Sequence, residues 1–387
     1  MIIAYWLSLF IVFYTFFGYG ILLYILVKIR IAIKGKRKIP PAANLPTVTL
    51  IVAAYNEEDF IIEKIKNTLA LTYPPDKVSF LFVTDGSSDN TPGLIAAYPQ
   101  IKLMHQPGRS GKIAAVHRAM KEVTSEIAIF TDANTFLNKD ALVNICRHYA
   151  DATVGAVSGE KRVSIEDVAD ATAGEGFYWK YESKLKTWDS ELYSVVGAAG
   201  ELFSVRVGLY EPVPASTILD DFMISMLIAK KGYRIVYEPL AYATETGSEN
   251  IKEELKRKIR IAAGGIQSIV WLKELLQPFG HFVLSFQYVS HRVLRWTITP
   301  FLMLLAIVLN ALIICRGAGI TYTLLFICQA LFYMLSLLGL IFEKRQVRIK
   351  ILFIPYYFCM MNYAVAAGIL RYIKGSQSAV WEKAKRK

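Results

Sequence analysis

The sequence predicts an α/β domain with a mostly parallel sheet, joined to transmembrane and interfacial α-helices. Three observations predict it. Of 387 residues, 54% are hydrophobic yet 20% are charged, with a mean hydropathy of +0.36; a water-soluble domain plus membrane segments reconciles these values. Residues 1–27, 297–315, 317–342 and 351–370 contain no charged side chain, and a spanning helix needs about 20 apolar residues to cross roughly 30 Å of hydrocarbon. Between Thr47 and Ile261, strand-like apolar runs alternate with amphipathic helical runs, the pattern of a sheet covered on both faces.

In chain order, residues 1–30 come first. This stretch is longer than a signal-peptide core and no small-residue cleavage site follows it, so it reads as a retained N-terminal transmembrane helix. Residues 31–46 form a basic linker in which Pro40, Pro41 and Pro46 prevent regular structure. The stretch KIRIAIKGKRK at 28–38 holds six Lys or Arg, within a net charge of +12. Basic clusters beside a span mark its cytoplasmic side and meet anionic lipid headgroups; nucleic acid is not an expected partner.

Residues 47–265 are then a cytoplasmic domain. TVTLIVAAY, KVSFLFVTD, IKLMHQ and EIAIFTDA read as strands, and EEDFIIEKIKNTLAL, GLIAAYP and GKIAAVHRAMKEV as the helices between them. Residues 266–294 carry isolated polar residues at helical spacing among apolar ones, which suits interfacial amphipathic helices. Trp271 and Trp296 fit the headgroup belt. Residues 295–373 form a C-terminal transmembrane region with spans near 296–315 and 319–342. In its last segment, 351–373, Pro355 is expected to break the helix into a re-entrant or interfacial piece that leaves the basic tail, 374–387, cytoplasmic. No span carries the buried charge that marks an ion path, which argues against a transporter. The four cysteines are scattered without metal-ligand spacing, and no disulfide is expected.

Ligands of open parallel sheets bind beyond the carboxyl ends of the strands. That rule places AAYNEE (53–58), TDGSSDN (84–90) and TDANT (131–135) along one crevice. One polar tip is ordinary; three in succession suggest a shared site. Asp132-Ala133-Asn134 alone reads either as a metal site or as a turn that caps the next helix. Lys112 follows Gly108-Arg109-Ser110-Gly111 at the opening of a helix, where phosphate is favoured, although Walker spacing is absent. Asp220 and Asp221 also open a helix, where they suit the dipole; adjacent carboxylates repel, which raises one pKa.

The ordered set IVAAYNEEDF, FVTDGSSDNT, GRSGKIAAVHRAM, FTDANT, GAAGELFSVR and LDDFMISMLIAKKGYRIVYEP resembles the inverting, membrane-bound glycosyltransferases of family 2, with a Rossmann-like type A domain. Cellulose, chitin and hyaluronan synthases are members. The resemblance covers about residues 47–265 and the flanking membrane arrangement. It implies a hexosyltransferase that uses a nucleoside diphosphate sugar, with UDP favoured, and Mg²⁺ or Mn²⁺. The acceptor is a saccharide or a lipid-linked molecule at the cytoplasmic face, in cell-surface or exopolysaccharide synthesis. Membrane lipids and a second copy or an export partner complete the expected partners.

The resemblance also implies roles. Tyr55, Glu57 and Asp85 would seat the nucleoside, Tyr55 by stacking and a carboxylate by accepting the uracil imide N–H. Lys112 and Asp132 would bind the donor's diphosphate. Asp132 and Asn134 occupy the family's Asp-x-Asp metal position, where Asn supplies a neutral oxygen; alternatively Asp132 acts alone and Asn134 caps the following helix. Leu219-Asp220-Asp221 stands where the family has Thr-Glu-Asp, making Asp221 the general base and Asp220 its support. Gly197 and Gly200 would admit the acceptor. The family's Gln-x-x-Arg-Trp reads Arg257-Lys258-Ile259-Arg260-Ile261 here. Arg260 keeps the diphosphate-facing Arg, Arg257 adds a second phosphate contact, and Ile261 removes a ring that stacks on sugar. Transfer of one or a few sugars is therefore expected at least as much as processive synthesis. A polyprenyl-phosphate glycosyl donor enzyme and a catalytically inactive membrane scaffold of the same fold are the alternatives.

Overall fold

Among the described residues of the computed structural model (1–163, 173–245, 251–317, 319–345, 347 and 349–376), one sheet contains eight strands. They are β1 Val48–Ala54, β2 Val78–Asp85, β3 Ile101–Gln106, β4 Ile127–Asp132, β5 Phe136–Leu137, β6 Val154–Val163, β7 Leu202–Arg206 and β8 Arg234–Glu245. Their order is β3-β2-β1-β4-β7-β6-β8-β5. The helices that matter below are α1 Ile2–Lys34, α2 Glu58–Leu69, α3 Thr91–Ala96, α4 Lys112–Met120, α5 Ala141–Cys146, α6 Ala173–Leu192, α7 Asp220–Lys230, α8 Ile251–Trp271, α9 Phe282–Trp296, α10 Thr299–Cys315, α11 Ile320–Lys344 and α12 Lys350–Ile373.

β1 to β4 run parallel, as expected, while β7 is antiparallel to both β4 and β6. The sheet is thus mixed and mostly parallel. Alternate residues serve opposite faces. Leu50 and Val52 join a core with Ile61 and Ile65 of α2, whereas Ile51 joins one with Val116 of α4 and Ile224 of α7. Register brings the strand tips together. Ala54 lies opposite Thr84 and Ala53 opposite Asp132, so β1, β2 and β4 end in one row at about 4.8 Å per strand. β7 starts where β4 ends, with Leu202 opposite Thr131, and this delivers residues 197–201 to the same edge.

Three helices, Ile2–Lys34, Ile320–Lys344 and Ile351–Ile373, are long and apolar enough to cross a membrane, or four if α9 and α10, bent by 60°, form one broken span. The chain is a membrane protein on this basis. At 33 residues, α1 is about 50 Å long and exceeds the roughly 30 Å hydrocarbon layer. It runs past residue 30 to Lys34, so the linker begins later than the sequence suggests. Part of the basic cluster is also used for docking. Arg30 pairs with Glu191 of α6 at 2.5 Å, and Arg37 donates to the Glu191 carbonyl at 3.1 Å.

Two further expectations are corrected. α8 passes unbroken through the 265/266 boundary between the domain and the interfacial segment, because its apolar face packs on both. α12 continues through Pro355. That proline lies in the second turn, where it costs only the one backbone hydrogen bond to the carbonyl of Ile351. Residues 377–387 of the basic tail lie outside the described residues.

A buried polar joint fastens α1 and α9 to the domain. Asp189 of α6 accepts from Tyr19 of α1 and, at 2.9 Å, from the Gln287 amide of α9. His291 Nδ1 lies 2.6 Å from the other Asp189 oxygen. Glu182, about two turns away on the same face of α6, meets Arg292 at 2.9 Å and Arg295 at 3.1 Å. Burial pushes Glu182 up, but Arg292 and His291 outweigh it and hold the carboxyl well below the usual range. Asp189→Ala removes the carboxylate shared by Tyr19, Gln287 and His291 and is expected to destabilise the protein by about 3–5 kcal/mol. Unfolding of the detergent-solubilised protein measures this; a transition at the parental midpoint would contradict it.

Candidate functional site

Two adjoining recesses at the row of strand tips share Ala53 and Lys112. One is lined by Tyr55, Asp85, Arg109 and Gly111, the other by Asp132, Gly200 and Asp220. Chain topology therefore brings Tyr55, Asp85, Lys112, Asp132, Gly200 and Asp220 into one crevice.

Asp85 ends β2 and is buried. Its Oδ2 accepts from the backbone N–H groups of Ser110 at 2.8 Å and Gly111 at 2.6 Å, and its Oδ1 lies 3.5 Å from Arg118. The carboxylate thus holds the loop before α4 against the second tip. Gly86 beside it has φ +72°, and a Cβ there would meet the Arg109 backbone at 2.8 Å; only glycine allows this approach. The Arg109 guanidinium lies 3.9 Å from the Tyr55 ring centroid and donates to its hydroxyl at 3.2 Å.

Lys112 is the centre of the charge arrangement. Its Nζ lies 2.8 Å from Asp132 Oδ1 and 3.8 Å from Asp220 Oδ2. Burial alone would lower its pKa; Asp132 and Asp220 override that and raise it, so the ammonium stays charged. Asp221, next along α7, is different. Burial and then the adjacent Asp220 push its carboxyl up from 3.8 to about 7, against the pull of Lys112 and of the Phe222 N–H. Gly200 faces this carboxyl: a Cβ there would sit 3.0 Å from Asp221 Oδ2. Arg260 of α8 looks toward the same acids. Burial lowers its pKa, while Asp220, Asp221 and Asp132 each raise it.

Several sequence expectations are placed elsewhere. Glu57 is 2% exposed and stands at the N-cap of α2, with its backbone N–H bonded to Thr91 Oγ1 at 2.9 Å; it is beneath the first tip and not in the crevice lining. Gly197 has φ +81°, and its missing Cβ would point into the Phe222 ring at 2.1 Å, so this glycine serves packing behind the crevice. Arg257 is held by Glu254 at 3.1 Å and Glu245 at 3.6 Å, which answers its charge away from the acids of α7. The alternative in which Asn134 caps the next helix does not hold: β5 follows the tip, and Asp140 is the N-cap of α5. Asn134 itself is buried beside Asp132.

The structure adds groups that the sequence reading left out. Lys64 of α2 is fully buried, and its Nζ reaches Thr131 Oγ1 at 3.2 Å and the Thr135 carbonyl at 2.6 Å. It props the Asp132 tip from below, and burial pulls its pKa down to about 7. Its signal was available, since it falls at helical spacing on the face that carries Ile61 and Ile65. Glu201 pairs with Lys161 at 2.7 Å, and Lys161 also meets Glu245; nothing local to either residue announces these pairs.

With this geometry in hand, comparison with known proteins is decisive for the domain: residues 49–213 match the family model described as Glycosyl transferase family 2. The chain carries a family 2 glycosyltransferase domain. The poly-beta-1,6-N-acetyl-D-glucosamine synthase of Staphylococcus aureus is 29% identical over 234 residues, 57% of this chain and 55% of that one. The beta-monoglucosyldiacylglycerol synthase of Synechocystis sp. is 32% identical over 163 residues, 41% of this chain and 33% of that one. The chain thus spans about half the length of the first of these relatives, or less for the second. The solved mannosyltransferase PcManGT from Pyrobaculum calidifontis, in complex with GDP-Man and Mn²⁺, superposes with a TM-score of 0.72 at 23% identity, covering 97% of this chain and 100% of that one. This likeness shows the fold, that of a type A glycosyltransferase, over nearly the whole chain. In the glycosyltransferase domain, the Lys112, Asp132, Asp220 and Asp221 cluster sits at the strand tips of that fold.

Proposed function

We propose that the chain is an inverting hexosyltransferase. It moves a sugar from a nucleoside diphosphate sugar to a saccharide or lipid-linked acceptor at the cytoplasmic face of a membrane, in surface polysaccharide or glycolipid synthesis. The observation that carries this reading is Asp221: a carboxyl raised to about 7 and set against Gly200, which lines the crevice with Lys112 and Asp132. A base with a pKa near the working pH removes a proton most effectively.

In this reading the acceptor hydroxyl gives its proton to Asp221 as its oxygen attacks the anomeric carbon. The bond from that carbon to the diphosphate breaks, and a single displacement inverts the configuration. Lys112 and Arg260 meet the charge that grows on the departing diphosphate. Asp220 tunes Asp221 by repulsion, and Arg109 on Tyr55 closes the nucleoside end. A divalent ion suits the donor set, because Asp132 and Asn134 offer hard oxygen ligands on one tip. Among the described residues no group of three or more His, Cys, Asp or Glu is placed to hold a metal, so the substrate's phosphate oxygens and water would complete the sphere. When bound, Mg²⁺ or Mn²⁺ would neutralise diphosphate charge.

The test is a screen of nucleotide sugars, UDP-sugars and GDP-mannose included, with the purified full chain. Release of nucleoside diphosphate from at least one donor is expected. Chelation should remove the activity and added Mn²⁺ or Mg²⁺ restore it; turnover undiminished by chelator would sink the metal assignment. Processive synthesis is the second reading, favoured by the likeness to the poly-N-acetylglucosamine synthase and opposed by Ile261. The size of the labelled product separates the two.

A further inference from the structure

Building on the glycosyltransfer reading, we infer that the membrane helices hold the hydrocarbon chain of the acceptor, which makes the acceptor a lipid and not a free saccharide. A cavity of about 590 Å³ opens between α10, α11, α12 and the start of α8, with Leu255, Phe301, Leu304, Leu337, Met360 and Tyr363 among its walls. The size falls in the range of roughly 300–1,000 Å³ common to small-molecule sites. Its lining is almost wholly apolar, so a polar ligand would lose its hydrogen bonds on entry, whereas hydrocarbon would not. Phe301, Leu304, Leu337 and Tyr363 are each about half or more exposed in the protein; a chain in the cavity covers them.

Three features separate this cavity from a groove that bulk bilayer lipid fills. One wall belongs to α8, the helix that carries Arg260 toward the acids of the crevice. Leu255 precedes Arg260 by five positions, about 7.5 Å along the helix and about 140° around it, so the helix that walls the cavity presents Arg260 on its other face within the next turn and a half. α12, which lines the cavity, also touches α8 backbone to backbone. A Cβ at Gly368 would come within 2.8 Å of the Ala263 nitrogen and 2.9 Å of the Ile259 oxygen, so the helix that walls the cavity also packs on the turn that carries Arg260. Finally, Ile261 leaves the acceptor sugar without an aromatic platform at that position. A hydrocarbon anchor supplies the hold that stacking would otherwise give.

The full-length protein in phosphatidylcholine nanodiscs is the material for the test. The probe is a hexadecyl glucoside with a photoreactive group at the chain end. Labelling is expected on the α10, α11 and α12 walls and is expected to be displaced by long-chain glucosides but not by ethyl glucoside or added phosphatidylcholine. Leu304→Trp and Leu337→Trp fill the cavity from exposed positions and should each reduce labelling and raise KM for hexadecyl glucoside by about tenfold, equivalent to 1.4 kcal/mol, with little change for ethyl glucoside. Leu331→Trp, on the other face of α11, should do neither. Stronger displacement by a diacylglycerol-linked or by a polyprenyl-linked glucoside identifies which lipid class is the natural source. Labelling spread over all the membrane helices, displacement by phosphatidylcholine, indifference to both Trp substitutions, or equal transfer to ethyl and hexadecyl glucosides would overturn the inference while leaving glycosyltransfer standing. Absence of turnover with every nucleotide sugar would instead remove the glycosyltransfer reading, and the acceptor assignment with it.

Discussion

Asp221→Asn is expected to lower acceptor-dependent release of nucleoside diphosphate by about 10²–10⁴-fold, the range for loss of a positioned general base. Asn keeps the shape and the contact with Gly200 but cannot take a proton. Donor binding should survive, because Lys112, Asp132 and the Tyr55–Arg109 pair are untouched, so the loss should fall on kcat. Parental activity should also rise with pH through a midpoint near 7, well above an ordinary carboxylate, since Asp221 is held there by burial and Asp220. The two acids are close enough that the midpoint belongs to the pair. Stability should move the other way. A carboxyl raised from 3.8 to about 7 keeps its proton in the folded state after the unfolded chain has lost it. Folding stability therefore declines as pH rises from about 4 to 7, and the Asn variant should lack that decline. A kcat–pH profile and denaturation at several pH values check both signs. A variant with near-parental kcat would remove Asp221 from the chemistry.

Lys112→Met is expected to cost about 10²–10³-fold in kcat/KM, the scale for removing one charged group from a developing anion. Its diagnostic consequence is electrostatic. The Lys112 charge pulls the Asp221 pKa down, so its removal should move the acid limb of the pH profile upward. It also leaves Asp132 and Asp220 without the ammonium between them. Lys112→Arg keeps the charge and should keep the midpoint, although the bulkier head will fit the 2.8 Å contact with Asp132 less well. A midpoint that stays put in the Met variant would mean that Lys112 does not act on the base.

Much of the domain was legible before any coordinate. β1, β2, β3 and β4 each coincide with a predicted strand to within two residues at either end, because a buried parallel strand is a short apolar run bounded by turn residues. The crevice followed from topology, since the carboxyl ends of parallel strands share an edge. Lys112, Asp132, Asp220 and Asp221 were readable because each opens a helix or ends a strand. Glu57 was misplaced by the same rule. A residue at a tip can turn into the crevice or lie beneath it as a helix cap, and composition does not distinguish these. For Arg257 the sequence offered only a phosphate contact, because its carboxylate partners Glu245 and Glu254 are named by packing and not by spacing. Lys64 was visible as a break in an apolar stripe but had no partner until Thr131 and Thr135 were brought over it.

By itself, the sequence determined β1 to β4, the helices between them, the long apolar runs and the polar tips that end the strands. These depend on hydrophobic period and turn chemistry, both properties of neighbouring residues. Tertiary structure alone decided that β7 runs against β4 and carries Gly200 to Asp221, that α12 passes through Pro355 to lie on α8, and that α6 joins α1 and α9 through Asp189. Those outcomes hinge on contacts between residues far apart in the chain. Their energies come from burial and from paired charges, and neither exists until the chain has folded.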